Sequence, residues 1–441
     1  MQLTTKTLLT SLLAVTTACA GDNTVDPARD VEVVRDPLVP ALNADPCDAA
    51  PTNISPDPAW YGNNIATLTG WLDSGGCGSE TYDKHHRPVV LFDWDNTISK
   101  NDVGDAITFW YIANDKVLQP PGQDWHNTSH YMTDAGAAAL TAACGTTVPA
   151  GQPLPTSTSS ACADEMLSMY NNEVTRGGLP AWAGANLRRD EPAFAWTAQL
   201  LAGSTHAEVA ANTLAAITPQ LAAAAGTTQT IGTTTGLNGW LRLYDQQRSL
   251  IAAAHSRGFD VWVITASPQD VIGAVAPMVG IPTDHVVGIR SLTDSAGKLT
   301  YGFQGCGTVP DGDSMIPTIQ GKRCYVNKFV FGDPTPTAMQ RRADGTRQFL
   351  SVADTDSDVE FMRDAKYKLV INRNKSDMMC HAYYNEGDSW RVNPMFINPK
   401  AARTALYPCS TTAFTTETGA SLPTRDEGGN IIPDQMDAVH P

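Results

Sequence analysis

The stretch Val89-Val90-Leu91-Phe92-Asp93-Trp94-Asp95-Asn96-Thr97 decides the fold. Its apolar run, preceded by Pro88 and closed by a polar cluster, predicts a central parallel strand buried on both faces. The carboxyl end of such a strand opens on a ligand crevice. On an extended chain Asp93 and Asp95 share one face and Trp94 turns away. Two carboxylates so placed suit phosphoryl chemistry, in which one attacks phosphorus and the other manages the leaving-group proton. Taken alone, the stretch also reads as a strand-end turn, where Asp and Asn are common.

Outward from that strand the chain alternates as an α/β protein, with one interruption. A helix is expected over 63–72, and the adjacent His85 and His86 read as loop residues meeting solvent. Residues 102–117 carry Ile107, Trp110 and Tyr111 at helical spacing. Region 120–238 then breaks the alternation, with Pro/Gly/Ser/Thr loops around 145–160 and alanine-rich helical stretches near 193–226. The core resumes with a helix over 241–255, ended by Gly258, and a strand over 259–264. Ser267 is expected to cap a helix starting at Pro268, with Asp270 in its first turn. Thr265 and that helix start would favour an anion. A hairpin is expected from 286–292 and 299–303. Lys322 opens a segment with Tyr325, Val326 and Phe329 at helical spacing, and strand 349–353 ends in Asp354-Thr355-Asp356-Ser357-Asp358. Acids in alternate positions repel one another unless a cation sits among them. Strand 368–371 completes the expected sheet.

The chain has 441 residues, with 30 Lys and Arg against 46 Asp and Glu, a formal charge of −16. That balance argues against nucleic acid or an anionic membrane surface as partner. Positive charge for a phosphate ester must then come locally, from a metal ion or a few placed cations. Lys6 is the one charge ahead of the apolar stretch 8–15, which is too short to span a bilayer. The following Thr16-Thr17-Ala18-Cys19 resembles a bacterial lipoprotein cleavage box, so residues 1–19 are expected to be an export signal with Cys19 lipidated. Cleavage near Ala18 or Ala20 is the alternative. The expected location is an outer-membrane or cell-surface lipoprotein, or a periplasmic or secreted protein, touching a membrane only through that anchor. Setting Cys19 aside, the nine cysteines leave eight. Pairing of sequential neighbours, 47 with 77, 144 with 162, 306 with 324 and 380 with 409, is the simplest arrangement. No C-x-x-C occurs, and zinc on thiolates is not expected.

In order along the chain stand D-x-D-N-T after a strand, a Thr after a strand, a Lys opening a helix, and D-x-x-x-D after a strand. This order resembles the haloacid dehalogenase superfamily of phosphohydrolases. The insertion after the first motif resembles its C1-cap branch, which includes phosphoserine phosphatase and phosphorylcholine phosphatase. The resemblance covers about residues 88–105 and 240–375. It implies Asp93 as a nucleophile forming an aspartyl-phosphate, and Asp95 as general acid and then base. It further implies Mg²⁺ held by Asp93, the carbonyl of Asp95 and Asp354, with Asp358 supporting its waters. Thr265 would bind a phosphoryl oxygen, with Ser267 beside it on the substrate, and Lys322 would neutralise charge on the transferring group.

Two departures stand out. Ala353 replaces the family's Gly before Asp354, and Lys328 competes with Lys322, which is preferred because apolar residues follow it at helical spacing. Asp102, nine residues after Asp93, stands where the phosphoserine phosphatase branch carries an acid meeting the substrate's amino group. Helix capping is its other reading. Trp94, Trp110 and Tyr111 offer either a cation–π surface or core packing. Arg188-Arg189 would contact phosphate or pair with Asp190 and Glu191.

The expected fold is a Rossmann-like three-layer α/β/α core with a parallel sheet (59–104 and 239–410) and a large, mainly helical cap inserted after the first core strand (105–238). A tether (20–58) and a tail (411–441) flank it. The expected activity is Mg²⁺-dependent hydrolysis of a small phosphate ester with an amine, such as phosphocholine, phosphoethanolamine or phosphoserine. A broad-specificity exported acid phosphatase is the alternative within enzymes, and a catalytically weak surface binding lipoprotein is the alternative outside them.

Overall fold

The computed structural model describes residues 46–440; the expected export signal, Cys19 and residues 20–45 of the expected tether lie outside the described residues. Six strands form one sheet: β1 (Val89–Phe92), β2 (Asp260–Pro268), β3 (Val286–Ile289), β4 (Leu350–Ala353), β5 (Tyr367–Asn372) and β6 (Trp390–Pro394). Their spatial order is β6-β5-β4-β1-β2-β3, and every pairing is parallel. This is a Rossmann-like α/β core. β1 lies inside the sheet, between β4 and β2, and is apolar and buried at every position. Val90 and Phe92 enter one apolar cluster, Val89 and Leu91 the other, as period-two alternation demands.

Eleven α-helices are described: α1 (Asn64–Gly75), α2 (Val103–Ala113), α3 (Asp134–Cys144), α4 (Ser160–Asn172), α5 (Pro192–Gln199), α6 (His206–Ala222), α7 (Asp245–His255), α8 (Gln269–Val275), α9 (Gln320–Tyr325), α10 (Val359–Asp364) and α11 (Ser376–Tyr384). Helices α2 to α6 all fall between β1 and β2. Their Leu140, Met166, Trp196 and Ile217 share the cluster of Val90 and Phe92, so the insertion and the sheet bury one continuous core. Among the described residues no helix is long and apolar enough to cross a membrane.

Several boundaries differ from the sequence reading. Residues 286–289 pair in parallel with β2, and the hairpin is the shorter Ser291–Thr293 with Leu299–Phe303. A sixth strand, β6, lies beyond 368–371; its alternating polar residues do not advertise a buried strand. β2 continues through Pro268, so α8 starts one residue later than expected and Ser267 caps nothing. α7 starts at Asp245 because Arg242–Leu243 pair with Ser99–Lys100 instead.

The described parts of both flanks are packed rather than loose. Within the expected tether Ile54 is 3% exposed, and the Thr52 N–H donates to Ser256 Oγ at 2.8 Å. Within the expected tail Thr424 and Ile432 are fully buried, and Asn372 Nδ2 donates to Asp437 Oδ1 at 3.0 Å. Turn-rich composition conceals this, because such segments satisfy their backbone through turns against the sheet. Disulfides join Cys47–Cys77, Cys144–Cys162, Cys306–Cys324 and Cys380–Cys409, each between sequential neighbours.

Candidate active site

The chain leaves β1 through a tight turn in which the N–H groups of Thr97, Ile98 and Ser99 all donate to Trp94 O, at 3.2, 2.8 and 3.1 Å. Asn96 sits there at φ 63°, a conformation Asn tolerates better than most residues. This turn presents Asp93 and Asp95 at the carboxyl edge of the sheet.

Lys322, on α9 and 1% exposed, donates to Asp93 Oδ1 at 2.6 Å and to Asp358 Oδ1. Asp354, immediately after β4, accepts from Thr97 Oγ1 at 3.0 Å and from Arg373 Nη1 at 2.5 Å. Asp93, Asp354 and Asp358 each offer an oxygen, all within 4.8 Å of one another. Burial pushes Asp354 up to about 6, with Arg373 opposing and Asp93 adding to the rise. Burial likewise pushes Asp358 up to about 8 against Lys322, and Asp93 and Asp354 add to it. Burial works against the Lys322 charge, yet Asp358 and Asp93 outweigh it and hold the ammonium above its ordinary range. Crowded hard-oxygen donors whose mutual repulsion a cation would relieve fit Mg²⁺.

Asp95 is committed elsewhere. Its Oδ1 accepts from the Val103 N–H at 2.7 Å and its Oδ2 from Ser267 Oγ at 2.6 Å, which leaves only its carbonyl for a metal. Burial pushes this carboxyl up to about 7, against those two hydrogen bonds. Ser267 thus engages the acid/base candidate. Thr265 is 1% exposed and accepts from the Ser267 N–H at 3.1 Å, so its hydroxyl proton remains to meet an anion.

Of the other residues singled out, Asp102 lies beside Ser267 and Asp95, and the rest are dispersed. Trp94 is fully buried in the apolar cluster and offers a ligand no ring face, because alternation turns it from the crevice. Tyr111 is buried too, with its hydroxyl 3.1 Å from Ser204 Oγ, and Lys116 lies 6.0 Å from the Trp110 ring. Lys328 donates to Gly305 O at 2.6 Å, away from the acids. Asp102 caps α2, accepting from the Asp105 N–H at 3.0 Å. Burial, then the charges of Asp95 and Asp105, push its carboxyl well above the usual range. Arg188 pairs with Glu360 at 2.6 Å and Arg189 lies 3.9 Å from Glu417, in place of their sequence neighbours. His86 pairs with Asp83 on an exposed loop. Ala353 lies in ordinary extended backbone, so no positive φ is needed where the family has Gly. Arg373 was not singled out from the sequence; its one signal is its place just after the last expected strand.

The fold brings Asp93, Lys322, Asp354 and Asp358 together at the carboxyl edge of the parallel sheet. No family model matches the sequence, and no curated protein aligns with it. Among solved structures, a conserved functionally unknown protein from Anaerococcus prevotii DSM 20548 matches with TM-score 0.54 and 16% identity, over 76% of this chain and 92% of that one. A protein of unknown function from Bordetella pertussis Tohama I matches with TM-score 0.39 and 14% identity, over 70% and 99%. A substrate-bound phosphoserine phosphatase matches with TM-score 0.31 and 13% identity, over 65% and 86%. The first likeness establishes a shared fold, and the lower scores of the other two add nothing to it.

Proposed function

We propose that the protein is an Mg²⁺-dependent phosphomonoesterase working through an aspartyl-phosphate on Asp93. The observation that carries this reading is Lys322 bridging Asp93 and Asp358 beside Asp354, with Asp95 held separately by Ser267 and the Val103 N–H. Lys322 engages Oδ1 of Asp93, which leaves Oδ2 to attack phosphorus. As the bond to the leaving oxygen breaks, protonated Asp95 delivers its proton there. Asp95, now a carboxylate, takes a proton from water, whose oxygen attacks phosphorus and frees Asp93 and inorganic phosphate. Lys322 and the Thr265 hydroxyl offset charge on the phosphoryl oxygens. Mg²⁺, held by Asp93, Asp354 and the Asp95 carbonyl with Asp358 behind, would neutralise phosphoryl charge.

The substrate proposed is a small ester with an amine, because burial, Asp95 and Asp105 raise the Asp102 carboxyl with only Arg373 and a capping bond opposing, and an ammonium would stabilise its charge. Its capping bond to Asp105 favours a second reading, a broad-specificity acid phosphatase. Export, with or without a lipid on Cys19, completes the proposal. p-Nitrophenyl phosphate turnover with and without Mg²⁺, beside Asp93→Asn, tests it. Metal-dependent turnover abolished in the variant is expected; full activity in the variant, or none in the parent, overturns it. In the same assay Asp102→Asn should lose phosphoethanolamine turnover selectively if the acid reads an amine.

A further inference from the structure

A cavity of about 170 Å³ lies between α10, α11 and the C-terminal hairpin of Phe414–Thr415 with Ser421–Leu422. None of Asp93, Asp95, Thr265, Lys322, Asp354 and Asp358 lines it. Arg188, Arg363 and Arg425 face it, against the acids Glu360 and Asp377. Both acids are already engaged. Glu360 Oε1 accepts from Arg188 Nη2 at 2.6 Å, and its Oε2 lies 2.7 Å from Arg323 Nη2. Asp377 Oδ1 accepts from Thr424 Oγ1 at 2.6 Å, and burial pushes this carboxyl up to about 7 against that bond and the charges of Arg188 and Arg363.

The arginines keep donors to spare. Among the described residues the Arg363 guanidinium makes no hydrogen bond or ion pair. Arg425 donates from Nη1 to Gly429 O at 2.7 Å, and Arg188 lies over Phe414, 4.3 Å from the ring centroid. Each guanidinium holds five donors in a planar fork that matches a carboxylate or a phosphate. The rest of the wall is apolar, with Phe414, Leu422 and Pro423 on one side and Val359 on the other. A cation does not suit three arginines. A wholly apolar ligand leaves the Arg363 fork unmet, and a bare inorganic anion leaves the apolar wall uncovered. A ligand with both an anionic head and an apolar body meets the whole lining.

We propose that this cavity binds a small organic anion, its oxyanion head on Arg363, Arg425 and Arg188 and its body against Phe414 and Leu422. Binding there is independent of the phosphomonoesterase reading, and only its effect on turnover rests on that reading. The effect follows from what Arg188 and Glu360 hold. Arg188 O accepts from the Gln320 N–H at 2.9 Å where α9 begins, and Glu360 pairs with Arg323, the neighbour of Lys322. An anion that draws Arg188 from Glu360 disturbs both supports of α9, so occupancy lowers kcat.

The test measures calorimetric binding of benzoate and phenylphosphonate, which carry the two head groups, with benzamide as the neutral control. The parent is expected to bind the tighter anion at least about tenfold better than benzamide, the scale of one charge-assisted hydrogen bond. Which anion is tighter identifies the head group. Arg363→Met should abolish the preference, Arg363→Lys should keep part of it, and Arg425→Met should narrow it. Saturating benzoate should lower kcat on p-nitrophenyl phosphate in the parent and leave kcat unchanged in Arg363→Met. No preference in the parent, or the same preference in Arg363→Met, overturns the site. Binding that depends on Arg363 but leaves kcat untouched overturns the link to α9. If no ester is hydrolysed while the binding and its loss in Arg363→Met remain, the phosphatase reading falls and the site stands.

Discussion

Lys322 separates two buried carboxylates that would otherwise face each other unscreened. Its replacement by Met leaves Asp93 and Asp358 without a counter-charge, a change that costs about 3–5 kcal/mol in comparable buried pairs. Lys322→Met is therefore expected to lower the thermal midpoint and abolish turnover. Added Mg²⁺ should raise the midpoint of the variant more than that of the parent, read by calorimetry. An equal Mg²⁺ response in both would place the metal away from these acids. At this scale the acids were legible because several strand-end motifs stand in order along the chain, since each one alone also reads as a turn. Arg373 was not, because its pairing with Asp354 is made between two separate strand ends.

The element that carries Lys322 is short and strained at its start. Ile319 sits at φ 43°, which a β-branched residue rarely adopts, and its N–H donates to Ser357 O at 2.7 Å. Two residues on, a Cβ at Gly321 would lie 1.9 Å from Ile316 O. Gly321→Ala must displace the first turn of α9 and with it the lysine. A fall in kcat of at least about tenfold is expected, with a stability loss of roughly 1–3 kcal/mol as for other overpacked sites. Unchanged kcat with lower stability would show the lysine insensitive to its backbone. Elements with one clear apolar run, β1 and β4, were readable. Those defined by partners, such as the parallel pairing of β3 or the extension of β2 to Pro268, depend on neighbours distant in the sequence.

Across the molecule, buried ionisable groups make stability respond to pH. His381 is 5% exposed, and burial drives its pKa down to about 3 from its ordinary 6.5. Its contribution is fully present above pH 6.5 and is lost as the pH falls toward 3, because the unfolded chain takes up the proton first. Between pH 7 and 5 the parent should lose about 2 kcal/mol more than His381→Gln, measured by urea denaturation. Parallel losses would show the imidazole charged in the fold. Reduction of the disulfides should cost up to about 3 kcal/mol for each of the shorter loops. Spacing alone left the cysteine connectivity open, and the simplest arrangement is the one found; the order within 411–440 was not legible, since its anchors are contacts with β5 and α11.

Cys324 stands two residues from Lys322, on the same helix, and is tied to Cys306. The lysine is thus latched by a covalent bond that forms only once an oxidant has been met. A chain matured without one would keep its sheet and its acids while its α9 is held by weak contacts alone. The specific activity of a preparation should then report its oxidation history rather than its quantity.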